Sequence, residues 1–405
     1  MDVLYLNPSF PPEMAEFARG LRQAGARVWG VGDGAFGSLP TAAQGALAGY
    51  LRVPRLLDED DVERHILKWL GGRRPDRVEC LWEPLVLLAA RLRERLGLPG
   101  LGVQATVGFR DKPEMRARVA AAGLRVPLTL RAVGRAQAEA AAAQLGVPLI
   151  LKPVQGAGSA DTFRVDDLAQ LPAVLDRLGH HAELSVEEFI VGEELTYETL
   201  CVDGQPVYES VCRYRPSALV ARQNEWISPI IQSERDLSAP DLQGGIALGR
   251  KVLGALGMGT GITHMEWFLN SRGEAIFGEI ACRPPGANMV DLMNYTGDID
   301  LYAAYGEAVV GRPVRPLRAR PYSAAIVFKR AQGQGKIVGY SGLDEFLRKY
   351  GEHVARLDLL PVGAARRDWT QTFLSDGNLV LRHPDAAFTR QMADAAAATI
   401  ALYAR

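Results

Sequence analysis

Residues 264–280 read HMEWFLNSRGEAIFGEI, a pattern that predicts two β-strands joined by a turn at residues 270–273. If the strands pair symmetrically about this turn, Glu266 faces Phe277. In the same register His264 faces Glu279, and the two glutamates lie diagonally on one face, within roughly 5–8 Å of each other. The segment therefore predicts a pair of carboxylates on one face of a β-hairpin.

Paired carboxylates on an apolar face repel each other and resist desolvation unless a cation lies between them. Hard oxygen ligands at this spacing suit Mg²⁺ that is shared with phosphate oxygens. The alternative is that Glu266 and Glu279 are two solvent-exposed strand residues. The apolar neighbours Met265, Trp267 and Phe277 favour a sheet that is buried on both faces.

Two further basic residues stand in contexts that favour anion binding. Lys152 ends an apolar strand and precedes the glycine-rich segment QGAGS at 155–159, whose backbone N–H groups can converge on a phosphate. The alternative is a strand-end lysine beside an ordinary turn. Arg283 lies in CRPPG at 282–286, where two prolines restrict the backbone. A guanidinium held in this way suits phosphoryl or carboxylate oxygens, although a surface arginine in a turn fits the same pattern.

The chain is long enough for two to three domains. Residues 1–105 alternate short apolar runs with helical patterns, which predicts a parallel α/β domain of the Rossmann-like type. The segment 32–37 matches G-x-G-x-x-G but does not follow the first strand, and Ser-Leu-Pro at 38–40 breaks the helix that should begin there. A nicotinamide enzyme is therefore disfavoured. β-Hairpin patterns begin at about residue 184, and a proline- and arginine-rich stretch at 311–321 predicts a linker.

Composition excludes several classes of function. The 46 lysines and arginines nearly balance the 47 aspartates and glutamates, so we expect neither a nucleic-acid-binding nor a membrane-binding surface. No segment approaches the length of a membrane span, and the first residues do not resemble a signal peptide. Scattered cysteines without C-x-x-C spacing favour reduced thiols in a cytoplasmic protein.

In their order along the chain, these motifs resemble those of the ATP-grasp superfamily, of the carboxylate–amine (amino-acid) ligase type. The resemblance is carried by FRDKPEM at 109–115, PLILKP at 148–153, GAGS at 156–159, VEEFIVGEE at 186–194, FGEI at 277–280, Arg283 and Gly286. It covers about residues 109–310. It implies an ATP-grasp domain at 106–311, with a small lid subdomain at about 124–190 and an antiparallel-sheet subdomain. A Rossmann-like domain (1–105) would precede it and a small α+β subdomain (312–405) would follow.

The resemblance implies a set of residues that bind ATP: Lys112, Lys152, Gly156, Gly158, Ser159, Glu187, Glu188, Ile190 and Glu194. In the implied arrangement the lysines contact the phosphates, and the glycine loop is mobile and covers them. The backbone of the hinge strand reads the adenine, and Glu194 binds the ribose hydroxyls.

Metal and catalytic roles follow from the same resemblance. Glu266 and Glu279 would hold Mg²⁺, with Mn²⁺ as an alternative ion, and Arg283 and Lys152 would be the catalytic residues. The last metal motif of the family commonly reads Glu-x-Asn, whereas the third position here is Ala281. Whether one or two ions bind is therefore left open.

Substrate contacts are predicted at five positions: Glu83, His264, Arg213, Arg215 and Asn288. Glu83 follows a strand of the first domain at the usual ligand edge of a parallel sheet, where it would hold an ammonium group or would only begin a helix. The two arginines would bind a carboxylate or be solvated.

The implied reaction is transfer of a phosphoryl group from ATP to a carboxylate, followed by attack of an amine on the acyl phosphate and release of ADP and phosphate. The substrates would be small carboxylates and amines, amino acids among them, and many relatives are homodimers. Two alternatives stay open. One is a ligase that acts on a peptide or protein, and the other is a non-catalytic nucleotide sensor.

Overall fold

The computed structural model describes residues 1–154, 161–314, 319–370, 372 and 374–405. The chain begins with a four-stranded parallel sheet of order β3-β2-β1-β4. Its strands are β1 (Asp2–Leu6), β2 (Arg27–Gly32), β3 (Leu47–Arg52) and β4 (Arg77–Cys80). The helices of this part are α1 (Met14–Gln23), α2 (Thr41–Ala46), α3 (Glu59–Leu70), α4 (Val86–Leu96) and α5 (Val103–Gly108). The predicted parallel α/β architecture of this region is confirmed.

Local sequence signals set the ends of these helices. The carboxylate of Asp58 accepts the backbone N–H of Asp61 at the start of α3, and Gly71 ends that helix in the left-handed conformation. Parallel strands place all their carboxyl ends at one edge of the sheet. The loops that follow β1 and β4 therefore lie side by side at this edge.

A small antiparallel sheet of order β5-β8-β6-β7 follows. It comprises β5 (Thr129–Val133), β6 (Leu149–Pro153), β7 (Phe163–Val165) and β8 (Glu183–Glu188), and α6 (Lys112–Ala121) leads into it. Helices α7 (Gly134–Leu145) and α8 (Leu171–Leu178) cover one face with buried alanine and leucine side chains. This is the unit that the sequence predicted as a lid.

An eight-stranded sheet of order β13-β12-β9-β10-β11-β14-β18-β17 forms the centre of the molecule. Its strands are β9 (Gly192–Val202), β10 (Gln205–Arg215), β11 (Ile230–Ser233), β12 (Gly261–Asn270), β13 (Ala275–Ala281), β14 (Ser323–Phe328), β17 (Val354–Leu359) and β18 (Gly377–His383). Helices α9 (Ala218–Gln223), α10 (Pro240–Leu256), α11 (Met289–Gly297) and α12 (Leu301–Val309) belong to this part. Trp267 and Tyr197 are fully buried against α10, where a Cβ on Gly245 or Gly249 would come within 2.2 Å or 2.3 Å of their rings.

Strands β14, β17 and β18 come from residues 312–405, so the last part of the chain extends the central sheet. The remaining elements are α13 (Leu343–Tyr350), α14 (Ala386–Thr399) and a small sheet of β15 (Gln332–Gly333), β16 (Ile337–Ser341) and β19 (Ala401–Ala404). The domain boundaries at residues 105 and 311 stay predictions. Within the described ranges, none of the helices combines the length and the apolar character that crossing a membrane requires.

The first domain is joined to the central sheet by a close helix crossing. Helices α1 and α12 share one apolar core with Leu200 and Ile262 of the central sheet. At their crossing a Cβ on Gly306 would lie 2.2 Å from the carbonyl oxygen of Gly20, which no side chain tolerates. The two glycines therefore permit the backbone contact that fixes the position of the first domain.

Replacement of Gly306 by alanine should lower the free energy of unfolding by about 1–3 kcal/mol, because the added methyl group forces the two helices apart. Gly254→Ala is the matched control, since a Cβ at that helical position meets no atom within 4 Å. Urea unfolding followed by circular dichroism measures both. Equal stability of Gly306→Ala and Gly254→Ala would contradict the proposed packing.

Candidate functional site

The hairpin of β12 and β13 places its two glutamates directly opposite each other. Glu266 pairs with Glu279, and the register shifts by one residue beyond this pair, so that Trp267 pairs with Phe277. The predicted pairings of Glu266 with Phe277 and of His264 with Glu279 are therefore wrong. Gly278 is the extra residue of this β-bulge, and a Cβ there would lie 2.8 Å from the carbonyl oxygen of Glu266.

A lysine neutralises one of the two carboxylates. Nζ of Lys112, the first residue of α6, lies 2.6 Å from Oε2 of Glu279. Burial alone would raise the pKa of Glu279, but Lys112 and Lys152 hold it below its ordinary value. Burial likewise opposes the charge on Lys112, yet the carboxylate of Glu279 raises the pKa of this lysine. The structure thus brings Lys112, Glu266 and Glu279 together, as the resemblance implied.

Lys152 belongs to a second, buried ion-pair cluster. Its Nζ lies 2.9 Å from Oε2 of Glu187, whose Oε1 lies 2.7 Å from Arg116 Nη1 and accepts a hydrogen bond from Ser185. Glu187 is only 4% exposed. Burial lowers the pKa of Lys152 despite this partner. For Glu187 burial acts to raise the pKa, but the two cations bring it well below its ordinary value. The side chain of Glu187 therefore positions Lys152, while its backbone lies on the wall of a cleft.

This cleft, called here the first cavity, lies between the small sheet and the central sheet. Its walls carry most of the residues predicted to bind ATP, namely Lys112, Lys152, Glu187, Glu188, Ile190 and Glu194, together with the predicted metal ligands Glu266 and Glu279. Apolar side chains complete it, among them Ile150, Leu219 and Phe268. Gly156, Gly158 and Ser159 lie outside the described residues.

Glu194 and Glu188 both have hydrogen-bond partners beside the cleft. Oε2 of Glu194 accepts the backbone N–H of Ala218, the first residue of α9, at 2.8 Å. Burial, followed by the charge of Glu266, raises the pKa of Glu194. Glu188 is paired with Arg125 on the rim. α9 separates the first cavity from a neighbouring one, because it contributes side chains to both.

The neighbouring cavity, called here the second cavity, shares Glu266 and Glu279 with the first. It is formed where the loops after β1 and β4 meet the central sheet, and its polar wall includes Glu83, His264 and Arg283. Arg222 of α9 also lines it, and the structure gives that arginine no carboxylate partner among the described residues. Two cavities that meet at one pair of carboxylates can hold two ligands with their reacting ends adjacent.

Glu83 holds Arg283 in place. Its Oε2 lies 2.8 Å from Nε of Arg283, and its Oε1 lies 3.1 Å from Nη1 of Arg110. Arg283 also donates to the carbonyl oxygen of Pro284 at 2.8 Å. Both oxygens of Glu83 are therefore occupied by guanidinium groups, an arrangement better suited to orienting Arg283 than to capturing an ammonium ion.

His264 is buried beside a carboxylate that the sequence analysis missed. Nδ1 of His264 lies 3.0 Å from Oε1 of Glu198 on β9, and Nε2 lies 3.7 Å from Oε1 of Glu266. Burial favours the neutral ring, but the two carboxylates raise the pKa of His264 to about 9. Strand β9 reads GEELTYETLCV, with two other glutamates and two threonines, so its pattern does not distinguish Glu198.

The structure does not bring Arg213, Arg215 or Asn288 to the second cavity. Tyr214 lines that cavity, and because side chains alternate along a strand, the flanking arginines lie on the other face of β10. Arg213 contacts Glu193, Glu234 and Asp241, and Arg215 contacts Asp394. Asn288 has a left-handed backbone conformation and contacts Glu13 instead. The prediction of substrate contacts at these three positions is corrected accordingly.

Removal of the charge on Glu187 should destabilise the protein by about 3–5 kcal/mol, because Lys152 and Arg116 would stay buried without their counter-ion. The pKa of Glu187 is lowered on folding. Its contribution to the free energy of unfolding is therefore fully present at pH values above the glutamate pKa of the unfolded chain. That contribution disappears as the pH falls through the folded pKa. The stability gap between wild type and Glu187→Gln should hold from about pH 8 to about pH 5 and narrow below about pH 4.

The matched control is Glu183→Gln, on the same strand. The partner of Glu183, Arg131, is solvent-exposed, so this substitution should lower the free energy of unfolding by less than about 1 kcal/mol. A small difference in the free energy of unfolding between wild type and Glu187→Gln would contradict the account of this cluster. A difference that widens as the pH falls would contradict it as well.

No protein-family model matches the chain. It is 26% identical over 234 residues to an L-arginine-specific L-amino acid ligase of Bacillus subtilis. This match covers 56% of each protein, so the chain spans little more than half the length of that curated relative.

Solved structures match over the whole chain. An L-amino acid ligase from Bacillus licheniformis superimposes with a TM-score of 0.76 at 20% identity, covering 100% of this chain and 98% of that one. A phosphoribosylglycinamide synthetase from Anaerococcus prevotii superimposes with a TM-score of 0.73 at 12% identity, covering 100% of this chain and 99% of that one. The predicted resemblance is thus confirmed at the level of the fold, which the chain shares with both of these solved structures along its whole length.

Proposed function

We propose that the protein is an ATP-dependent ligase that activates a carboxylate as an acyl phosphate and joins it to an amine, releasing ADP and phosphate. One observation carries the proposal. The first cavity, walled by Lys112 and Lys152, meets the second cavity at the opposed carboxylates of Glu266 and Glu279. A nucleotide in the first and an acid in the second would meet there.

The described residues fit the parts of ATP. Lys112 and Lys152 offer ammonium groups for the phosphates, and residues 187–190 line the first cavity at the hinge beside apolar walls. Glu194 uses one oxygen on α9, which leaves the other for a ribose hydroxyl. Tight contact with phosphate would replace the carboxylate partners that these lysines have now.

The donor set also fits a magnesium ion. Glu266 and Glu279 present oxygen ligands from facing strand positions, and Glu279 now holds the cation Lys112 at 2.6 Å. When bound, Mg²⁺ would neutralise charge on the phosphate oxygens. Since Ala281 supplies no ligand, these two carboxylates fit one ion, and the number of ions stays a prediction, as does the use of Mn²⁺.

The reaction needs charge neutralisation, positioning and a dry site. A carboxylate oxygen attacks the γ-phosphorus, and the bond from phosphorus to the ADP oxygen breaks. The amine then attacks the acyl carbon, phosphate leaves, and the nitrogen loses a proton. Arg283 lines the second cavity and is oriented by Glu83, so its guanidinium can stabilise the phosphoryl group in transfer. Held in this way, it loses little freedom on reaction.

Small carboxylates and amines, amino acids in particular, are the proposed substrates. Loops of the first domain form part of the wall of the second cavity, and a relative is described as an amino acid ligase specific for L-arginine. A cytoplasmic location and a homodimer remain predictions from the sequence.

The proposal is tested with the purified chain, Mg·ATP and pools of amino acids, by measuring phosphate release and product masses together. We expect products whose mass equals acid plus amine minus water. Lys152→Met and Glu279→Gln should lower turnover by about 100-fold or more, because each removes charge at the phosphates.

Matched controls are Lys251→Met and Glu274→Gln, two exposed residues outside both cavities. They should keep wild-type turnover. Binding of ATP without any condensation would contradict the small-molecule ligase and favour a macromolecular acceptor or a nucleotide sensor.

Arg283→Lys should lower kcat by about 100-fold or more with a smaller change in the KM for ATP, because lysine lacks the planar guanidinium that Glu83 and Pro284 hold in place. Steady-state kinetics separate the two constants. Arg272→Lys, in the exposed turn of the same hairpin, is the control. A change confined to KM would assign Arg283 to ground-state binding instead.

A further inference from the structure

Glu13 is a buried carboxylate that the reaction described above does not use. It stands where β1 leads into α1 and is 8% exposed. It lines the second cavity together with Pro11 and Met14. The sequence analysis did not single it out.

Only one oxygen of this carboxylate has a partner. Oε1 accepts the backbone N–H of Asn288 at 3.3 Å. In the orientation that satisfies both neighbours, the side-chain amide of Asn288 donates to Oε1 of Glu13 at 3.1 Å and accepts from Arg356 at 2.8 Å. Oε2 is buried and has no hydrogen-bond partner in the described part of the chain. An oxygen left in this state is costly, so a donor from a ligand would complete it.

Charge balance indicates what kind of donor is missing. Nη1 of Arg356 is 2.5 Å from Asp291, whose other oxygen accepts the hydroxyl of Tyr302. Arg356 therefore pairs with Asp291, while Glu13 forms no ion pair among the described residues. Burial, and to a lesser degree Asp291, raises the pKa of Glu13. A positively charged donor would satisfy both the oxygen and the charge.

The other acidic residues of the second cavity have other partners. Glu83 contacts two arginines, Glu279 contacts Lys112, and Glu266 lies near His264. The wall beside Glu13 is apolar, with Met14 and Met289 both buried. An apolar wall that ends in a carboxylate suits a methylene stem that ends in a cation.

We propose that Glu13 is a specificity residue that binds the cationic side chain, guanidinium or ammonium, of an amino-acid substrate in the second cavity. The inference rests on the proposed ligase function. The competing explanation is that Glu13 only ties α1 to the loop that ends at Asn288. Glutamine would fill that structural role equally well, so charge-specific effects separate the two.

The test compares matched pairs of substrates with the full-length protein and Mg·ATP. L-arginine is compared with the neutral L-citrulline, and L-lysine with the neutral L-norleucine. The same set of amino acids is offered in each case as the other substrate of the ligation. Product masses and phosphate release are measured. We expect kcat/KM for the cationic member of each pair to be higher by about 10-fold or more. Glu13→Gln should abolish that advantage, mainly by raising KM for the cationic substrates. It should leave kcat/KM for the neutral substrates unchanged.

Glu16→Gln, one turn further along α1 and partly exposed, is the control and should keep the wild-type preference. The inference is overturned, while the ligase function stands, if the wild type favours neutral amino acids. The same holds if Glu13→Gln lowers kcat/KM equally for both members of a pair. If no amino acid is joined to another by the wild type, the proposed function itself fails. Should Glu13→Gln not fold, the wild-type comparison of the matched pairs decides alone.

Discussion

Two carboxylates that face each other across neighbouring strands cannot both stay ionised in a cleft unless cations accompany them. The opposition of Glu266 and Glu279 imposes this requirement, and the surrounding site meets it with Lys112 at 2.6 Å. The bulge at Gly278 creates the opposition, because it shifts the register by one residue. In the proposed function, cations at this point would also neutralise the phosphates of a nucleotide.

The three units of the chain meet at this pair of carboxylates. The small sheet contributes Lys152, fixed by the buried Glu187, and α6 contributes Lys112. The first domain contributes the loops after β1 and β4, and its close contact through Gly20 and Gly306 fixes where those loops lie. Because the cavities share a wall, small displacements of the first domain would alter the position of an acid relative to the nucleotide.

Much of this arrangement could be predicted from periodicity, turn residues and the order of motifs. The hairpin itself was predicted, but the symmetric register predicted for it was wrong, since a bulge depends on the neighbouring strand β9 as well as on Gly278. Arg213 and Arg215 lie on the face of β10 away from the second cavity, and the pattern of one strand does not reveal which of its faces meets the site. Glu198 and Glu13 become visible only when distant segments come together.

The most direct test of the central claim follows oxygen through the reaction. With a substrate in which both carboxylate oxygens are ¹⁸O, an acyl phosphate requires that one labelled oxygen leave with inorganic phosphate when the amine displaces it. We predict one ¹⁸O atom in each phosphate released. We also predict that ADP is the nucleotide product and that it forms in an amount equal to the amide. Unlabelled phosphate, or AMP and pyrophosphate as products, would contradict the account.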